Sequence, residues 1–148
     1  IIKIVGAVMN QDLIYGPMLA QIVLTFCVFI LLARRKSADV KAGIADRDKS
    51  ALDNKAWSES VVKASNNIDN QFQTPVLFYA LCLVLAQLNA VTAITLGLAW
   101  FYALSRYAHM FVHTGSNHIP HRLPLFLCGV LALMAMTGVA IFTLMGAV

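Results

Sequence analysis

The amino-acid sequence predicts an all-α fold, an integral membrane protomer whose four helices pack as one bundle. Three observations predict it. The first is composition: of 148 residues, 59% are hydrophobic and only 12% charged, and the mean hydropathy is +0.74. Soluble domains run nearer half apolar and a quarter charged, so this balance belongs to a chain whose solvent is lipid. The second is the recurrence of membrane-length stretches at residues 13–33, 66–88, 91–112 and 123–144. The third is the placement of charge: eight of the eleven Lys and Arg residues fall within residues 34–63, beside five of the seven Asp and Glu. A net charge of +4 gathered in one connector next to a span is a topology signal rather than a nucleic-acid footprint. The lipid bilayer is the expected partner, nucleic acid is not, and the length suits a single domain with no internal repeat.

The elements follow in order. Residues 13–33 carry no charge, and Gly16 and Pro17 sit in the opening turn, where proline is tolerated. Arg34-Arg35-Lys36 is expected to stop this span, and residues 34–63 to form a partly ordered surface connector with Trp57 at the membrane interface. Residues 75–88 are too short to cross alone, so the second helix must recruit residues 66–74, which read NNIDNQFQT. Pro75 is expected to kink it. A half-helix that polar is untenable against lipid and must face protein or a wet cavity. The link at Asn89 is tiny, so spans two and three form an antiparallel hairpin. Counting outward from a turn centred between Asn89 and Ala90 levels Gln73 with Arg106, Asn70 with His109, and Asn66 with His113. Residues 114–122 read as a short turn containing Gly115, Asn117 and Pro120. The fourth span, 123–144, offers Gly129 and Gly138 for close packing.

Counting Lys and Arg places both termini away from the cytoplasm and opens the polar pocket towards it. The first residue is Ile rather than Met, so the numbered chain is expected to begin after the true start. Residues 1–10 hold one Lys and an apolar run too short for a secure signal peptide. Cys27, Cys82 and Cys128 each lie in a hydrophobic run without paired spacing, which argues for small core residues against a disulfide framework.

The chemistry concentrates in residues 105–122, SRYAHMFVHTGSNHIPHR, which hold all four histidines and both arginines that follow Lys63. Arg106, His109 and His113 are spaced by three and four, so a helix presents them on one face. Ionisable groups inside a membrane segment default to function. Arg106 and Arg122 suit carboxylates or a thiolate. Asn70 and Gln73 suit a peptide-like ligand, and the imidazoles can bond it or shuttle a proton. The competing reading is a packing device, with Arg106 snorkelling and the amides acting as interhelical glue. Metal ligation has helical spacing at His109 and His113 but no carboxylate or cysteine near in sequence, so no metal is expected. A carboxylate pair for acid–base work is unsupported, since Asp69 is the only acid near the pocket.

At these residues the chain resembles the MAPEG family, the membrane-associated proteins of eicosanoid and glutathione metabolism, and its bacterial members most. The resemblance rests on the polar second helix followed by Pro75 and Phe78, on Arg106-x-x-His109, and on Arg122 after the turn. It implies a homotrimer of four-helix protomers in a bacterial inner membrane, with glutathione bound as co-substrate at cytoplasmic depth. It implies Arg122 as the catalytic group holding the thiolate, with Asn66, Asn70, Gln73, Arg106, His109 and His113 binding the peptide. The departures are Gln73 where the enzymes carry an acid, His113 where several carry tyrosine, and the absence of arginines flanking Asn70. The expected function is a glutathione-dependent transferase or peroxidase acting on an apolar electrophile. The alternative is a non-catalytic binding or scaffold protein, or an accessory subunit of a larger membrane complex.

Overall fold

The structure, a computed structural model, describes residues 7–146. Residues 1–6, on which the reading of a leader segment largely bears, and residues 147–148 lie outside the described residues. The Asn10 side chain accepts the Asp12 N–H at 3.0 Å and caps a 3-10 turn, Gln11–Ile14, that runs directly into α1 (Tyr15–Lys41). Along α1 the buried positions Pro17, Gln21, Leu24 and Val28 recur every three or four residues, while Leu19, Phe26 and Ile30 stay exposed. An exposed apolar face of that extent is what a lipid solvent favours.

Two expectations about the first half of the chain are corrected. The triplet Arg34-Arg35-Lys36 ends the apolar stretch but not the helix, because Arg, Lys and Ala are good helix formers. α1 stops only where Gly43, at φ 68°, lets the Ile44 N–H return to the Asp39 carbonyl at 3.0 Å. The connector, expected to be partly ordered, is a run of short capped elements. Asp46 caps the short α2 (Arg47–Ser50), Asp53 caps a 3-10 turn at Asn54–Ala56, and Ser58 caps α3 (Glu59–Gln71). Asp39 accepts the Ser58 N–H and hydroxyl, both at 2.9 Å. Arg35 donates to the Ser60 and Thr114 carbonyls at 2.7 and 2.9 Å.

The second correction concerns residues 66–88, which form parts of two helices rather than one kinked helix. α3 ends at Gln71, α4 (Thr74–Gln87) begins afresh, and Gln73 between them takes φ −97° and ψ −99°. Pro75 is the cause. It has no N–H for the Gln71 carbonyl, and its ring would strike that carbonyl, so the chain restarts with Pro75 in the first turn of α4.

Asn89, at φ 53°, turns the chain, and a Thr92–Thr95 capping box opens α5 (Ala93–Thr114). Gln11 seals this end by accepting the Val91 N–H at 3.0 Å, and Met9 donates to the Val91 carbonyl at 2.9 Å. α6 (Ile119–Leu144) begins before residue 123, because Pro120 is suited to a first helical turn. Arg122 therefore stands on a helix and not in a loop. Among the described residues, α6 and α1 with its lead-in turn are the two helices long and apolar enough to cross a membrane.

α5 packs most extensively on α6 and also meets α1 and α3, while α4 lies against α6. The core centres on Phe78 stacked on Tyr102, ring centroids 4.4 Å apart, with Ile14, Cys82, Leu85 and Met136 around them. Gly129 permits the close approach of α6 to α5, since a Cβ there would lie 3.1 Å from Ser105 Oγ. A Cβ at Gly138 would meet nothing within 4 Å, because the residue borders an apolar groove between α4 and α6. The three thiols are free; Cys82 is a core residue, but Cys27 is exposed on α1.

Candidate functional site

The break before Pro75 sets up the site. Ending α3 at Gln71 leaves the carbonyls of its last turn without helical partners, and these form the negative end of the helix dipole. Arg106, on the facing stretch of α5, donates its Nη2 to the Asn70 carbonyl at 3.1 Å. Its side chain is only 1% exposed, and its Nε and Nη1 have no hydrogen-bond partner among the described residues. His109, one turn further along α5, is 2% exposed, and its Nδ1 is likewise unpartnered. Beside it opens a cavity of about 200 Å³ lined by Asn70, His109, Ile119, Arg122, Leu123 and Phe126. Arg122 is half-buried and oriented by donating to the Asn117 side-chain oxygen at 2.6 Å, which fixes the guanidinium at the cavity wall. Asn117 holds that position from a turn at φ 55°.

A second polar cluster shares α3 and α5 with the first and adds α1. Gln21 Nε2 on α1 donates to Gln71 Oε1 at 2.8 Å, and Gln71 Nε2 donates to Asn67 Oδ1 at 3.0 Å. Asn67 Nδ2 lies 3.1 Å from His113 Nδ1. With the Asn67 oxygen engaged by Gln71, its amide NH2 is left for His113, which makes Nδ1 the acceptor and puts the ring proton on Nε2. All four side chains are buried. The two clusters touch where the His109 and His113 rings meet edge to face, with centroids 5.3 Å apart.

The residues singled out from the sequence thus separate. Asn70, His109 and Arg122 share one cavity, and Arg106 lies behind it on the Asn70 carbonyl. His113 belongs to the amide chain. Asn66 is exposed and contributes only its carbonyl, to the Asn70 amide at 3.1 Å. Gln73 is exposed in the break, off the cavity wall. His118 and His121 are exposed as a ring pair with centroids 4.7 Å apart. Among the described residues no three His, Cys, Asp or Glu side chains gather as a metal set.

Sequence reasoning missed Gln21, Asn67 and Gln71. The signals were present. Extending the stripe of Val61 and Ala64 by helical steps reaches Asn67 and Gln71 rather than Asn66 and Gln73. Gln21 is the lone amide in the uncharged stretch 13–33.

A helical chain with a lipid-compatible exterior, two membrane-length helices and a buried basic, imidazole-bearing interior is an integral membrane protein. The MAPEG family model matches residues 14–142, nearly the whole chain, and the chain belongs to the MAPEG family. No curated protein and no solved structure matches it.

Proposed function

We propose that this protein binds glutathione at the Asn70–His109–Arg122 cavity and adds its thiolate to an apolar electrophile arriving from the membrane. The observation that supports the reading most is the pairing of Arg122 at the cavity wall with a buried Arg106 whose Nε and Nη1 are unpartnered. A buried cation with free N–H groups is costly until an anion or strong acceptor reaches it. A carboxylate of the peptide suits Arg106, and the thiolate suits Arg122, which favours the ionised sulfur by direct charge. The thiol proton leaves to water, the sulfur forms a bond to the electrophilic carbon, and that carbon's leaving bond breaks. Positioning and a lowered thiol pKa are sufficient, so no buried carboxylate base is required.

The cavity volume bears on assembly. At about 200 Å³ it is smaller than the roughly 300–1,000 Å³ of sites that enclose a small ligand. A neighbouring protomer supplies the rest of the wall in this reading, consistent with a homotrimer of four-span protomers with the cavity on the cytoplasmic side of a bacterial inner membrane. Gln73 bears less on the proposal than its departure from the enzymes suggests, since it is exposed and off the cavity wall of its own chain.

The test is glutathione titration of detergent-purified protein with thiolate ultraviolet absorbance as readout, and Arg122→Ala alongside. The reading expects saturable binding and a thiolate signal lost in Arg122→Ala. Absence of binding at millimolar glutathione overturns it. A second reading, a non-catalytic scaffold or accessory subunit, is favoured by the amide chain, which commits His113 to joining α1, α3 and α5. Copurification of a partner complex together with indifference to glutathione supports that reading.

A further inference from the structure

We propose that the connector between α1 and α3 is a lipid-binding arm that docks on the anionic headgroups of the bilayer surface from which α1 emerges. The argument starts with length. From Tyr15 to Arg34 an α-helix rises about 28 Å, close to the thickness of the hydrocarbon core. The remaining residues to Lys41 carry α1 about 10 Å further, through the headgroup layer. In that layer Arg34, Ser37 and Lys41, at i, i+3 and i+7, share one helix face. With Ala33 and Ala38 they line an open groove of about 440 Å³, so two cations and a hydroxyl meet any phosphodiester at that depth.

The carboxylates of the connector are turned to internal work. Asp39 holds Ser58, Asp46 caps α2 and Asp53 caps the following 3-10 turn. Glu59 pairs with Lys63 at 2.7 Å. Of the five acids, only Asp48 makes no such bond among the described residues. Arg34, Lys41 and Lys55 are exposed and have no partner among the described residues. The connector carries eight Lys and Arg against five acids, and no acid lines the groove that holds Arg34 and Lys41.

Two further features set this arm apart from a solvated topology signal. Leu52 is 96% exposed and Ile44 is 58% exposed, so apolar side chains project beside the cations. Trp57 is held at the same region with the Lys36 ammonium 5.0 Å above its ring. Basic residues interspersed with projecting apolar side chains and an interfacial tryptophan, next to a membrane span, fit a charged lipid surface. They do not fit a protein groove, which would need a contiguous apolar patch. The occupant is an anionic phospholipid, and its source is the same bilayer.

The test uses the full chain in nanodiscs, which leave both bilayer faces accessible, with neutral phosphatidylcholine or with added phosphatidylglycerol. In a Trp100→Phe background Trp57 is the only tryptophan, and its quenching by neutral acrylamide is measured. The expected result is about twofold weaker quenching and a blue-shifted emission in anionic discs, diminished by high salt. The triple change Arg34→Gln, Lys41→Gln, Lys55→Gln should abolish the difference. Equal quenching in both discs overturns the proposal, including the case in which a second copy of the chain covers the arm. So does protection that survives the triple change. Should the Trp100→Phe background fail to fold, limited trypsin cleavage of the unaltered chain decides the matter. Cleavage after Lys41 and Lys55 should slow in anionic discs, and equal rates in both overturn the idea.

Discussion

Two polar clusters lie side by side on α3 and α5, and they differ in how they are finished. In the first, Gln21, Gln71, Asn67 and His113 donate and accept in sequence, and one acceptor, Gln21 Oε1, is left over. In the second, Arg106 uses one N–H of its guanidinium, its Nε and Nη1 have no partner among the described residues, and neither has His109 Nδ1. Both are buried, and the guanidinium bore the larger desolvation cost. The first recovers that cost internally and joins three helices. The second leaves part of it unrecovered among the described residues. Burial of a polar residue in a membrane helix is therefore not itself the mark of a site; incomplete satisfaction beside a cavity is.

The largest expected effect breaks the open cluster. Arg106→Ala should weaken glutathione binding by about 2–5 kcal/mol, as truncating one partner of a buried charge pair does. Calorimetric titration reads this directly, and an unchanged affinity would place Arg106 among packing residues. Next comes the closed cluster. Asn67→Leu strands the Gln71 amide and the His113 nitrogen, and should cost about 1–3 kcal/mol of stability. Thermal unfolding in detergent measures that loss, while glutathione affinity should stay within about twofold, because the change lies outside the cavity. A large loss of affinity there would merge the two clusters into one functional unit.

Much of this arrangement was legible in the sequence, and the part that was not has a physical reason. The short link at Asn89 fixes depth, so the levelling of Asn70 with His109 follows from counting, and both line one cavity. Depth does not fix rotation. Val61 and Ala64 define the inward face of α3, but the polarity of residues 66–74 draws attention to every amide equally. Depth alone admits Asn66 and Gln73, which are exposed, whereas Asn67 and Gln71 are buried. The break at Gln73 adds a phase shift that no count through Pro75 anticipates. The end of α1 is not legible in Arg34-Arg35-Lys36, because charge ends apolarity without ending helicity. Residues 114–122 read as a turn containing Gly115, Asn117 and Pro120, whereas a proline in the first turn starts a helix and places Arg122 on it.

Two smaller effects sharpen the contrast. A double-mutant cycle of Gln21→Leu with Gln71→Leu should show a coupling of about 0.6 kcal/mol, and not above about 1.7 kcal/mol, as for side-chain hydrogen bonds between membrane helices. A coupling near zero would mean that the amide chain does not act as a unit. The smallest effect lies outside both clusters, at Glu59. Its hydrogen bond and ion pair with Lys63 hold the carboxyl below its ordinary value of 4.5. A lowered folded pKa contributes stability above the ordinary value and loses it as pH falls through the folded one. The protection factors of the Val61 and Val62 amides, exchange rates corrected for intrinsic pH dependence, should therefore fall slightly below about pH 4.5 and stay level between about pH 6 and 8.

The interruption at Phe72 and Gln73 has one more consequence. A continuous helix is a rigid screw, so turning one end to suit a new neighbour turns the other by the same angle. Here α3 and α4 are set independently. α3 can keep its Asn67–Gln71 face towards α1 and α5 while α4 adopts whatever rotation suits the apolar groove it forms with α6. Substitutions along α4 that widen or narrow that groove are thereby insulated from the cavity at Asn70. The groove and the cavity can be altered separately, by evolution or by design, on what looks in the sequence like a single crossing.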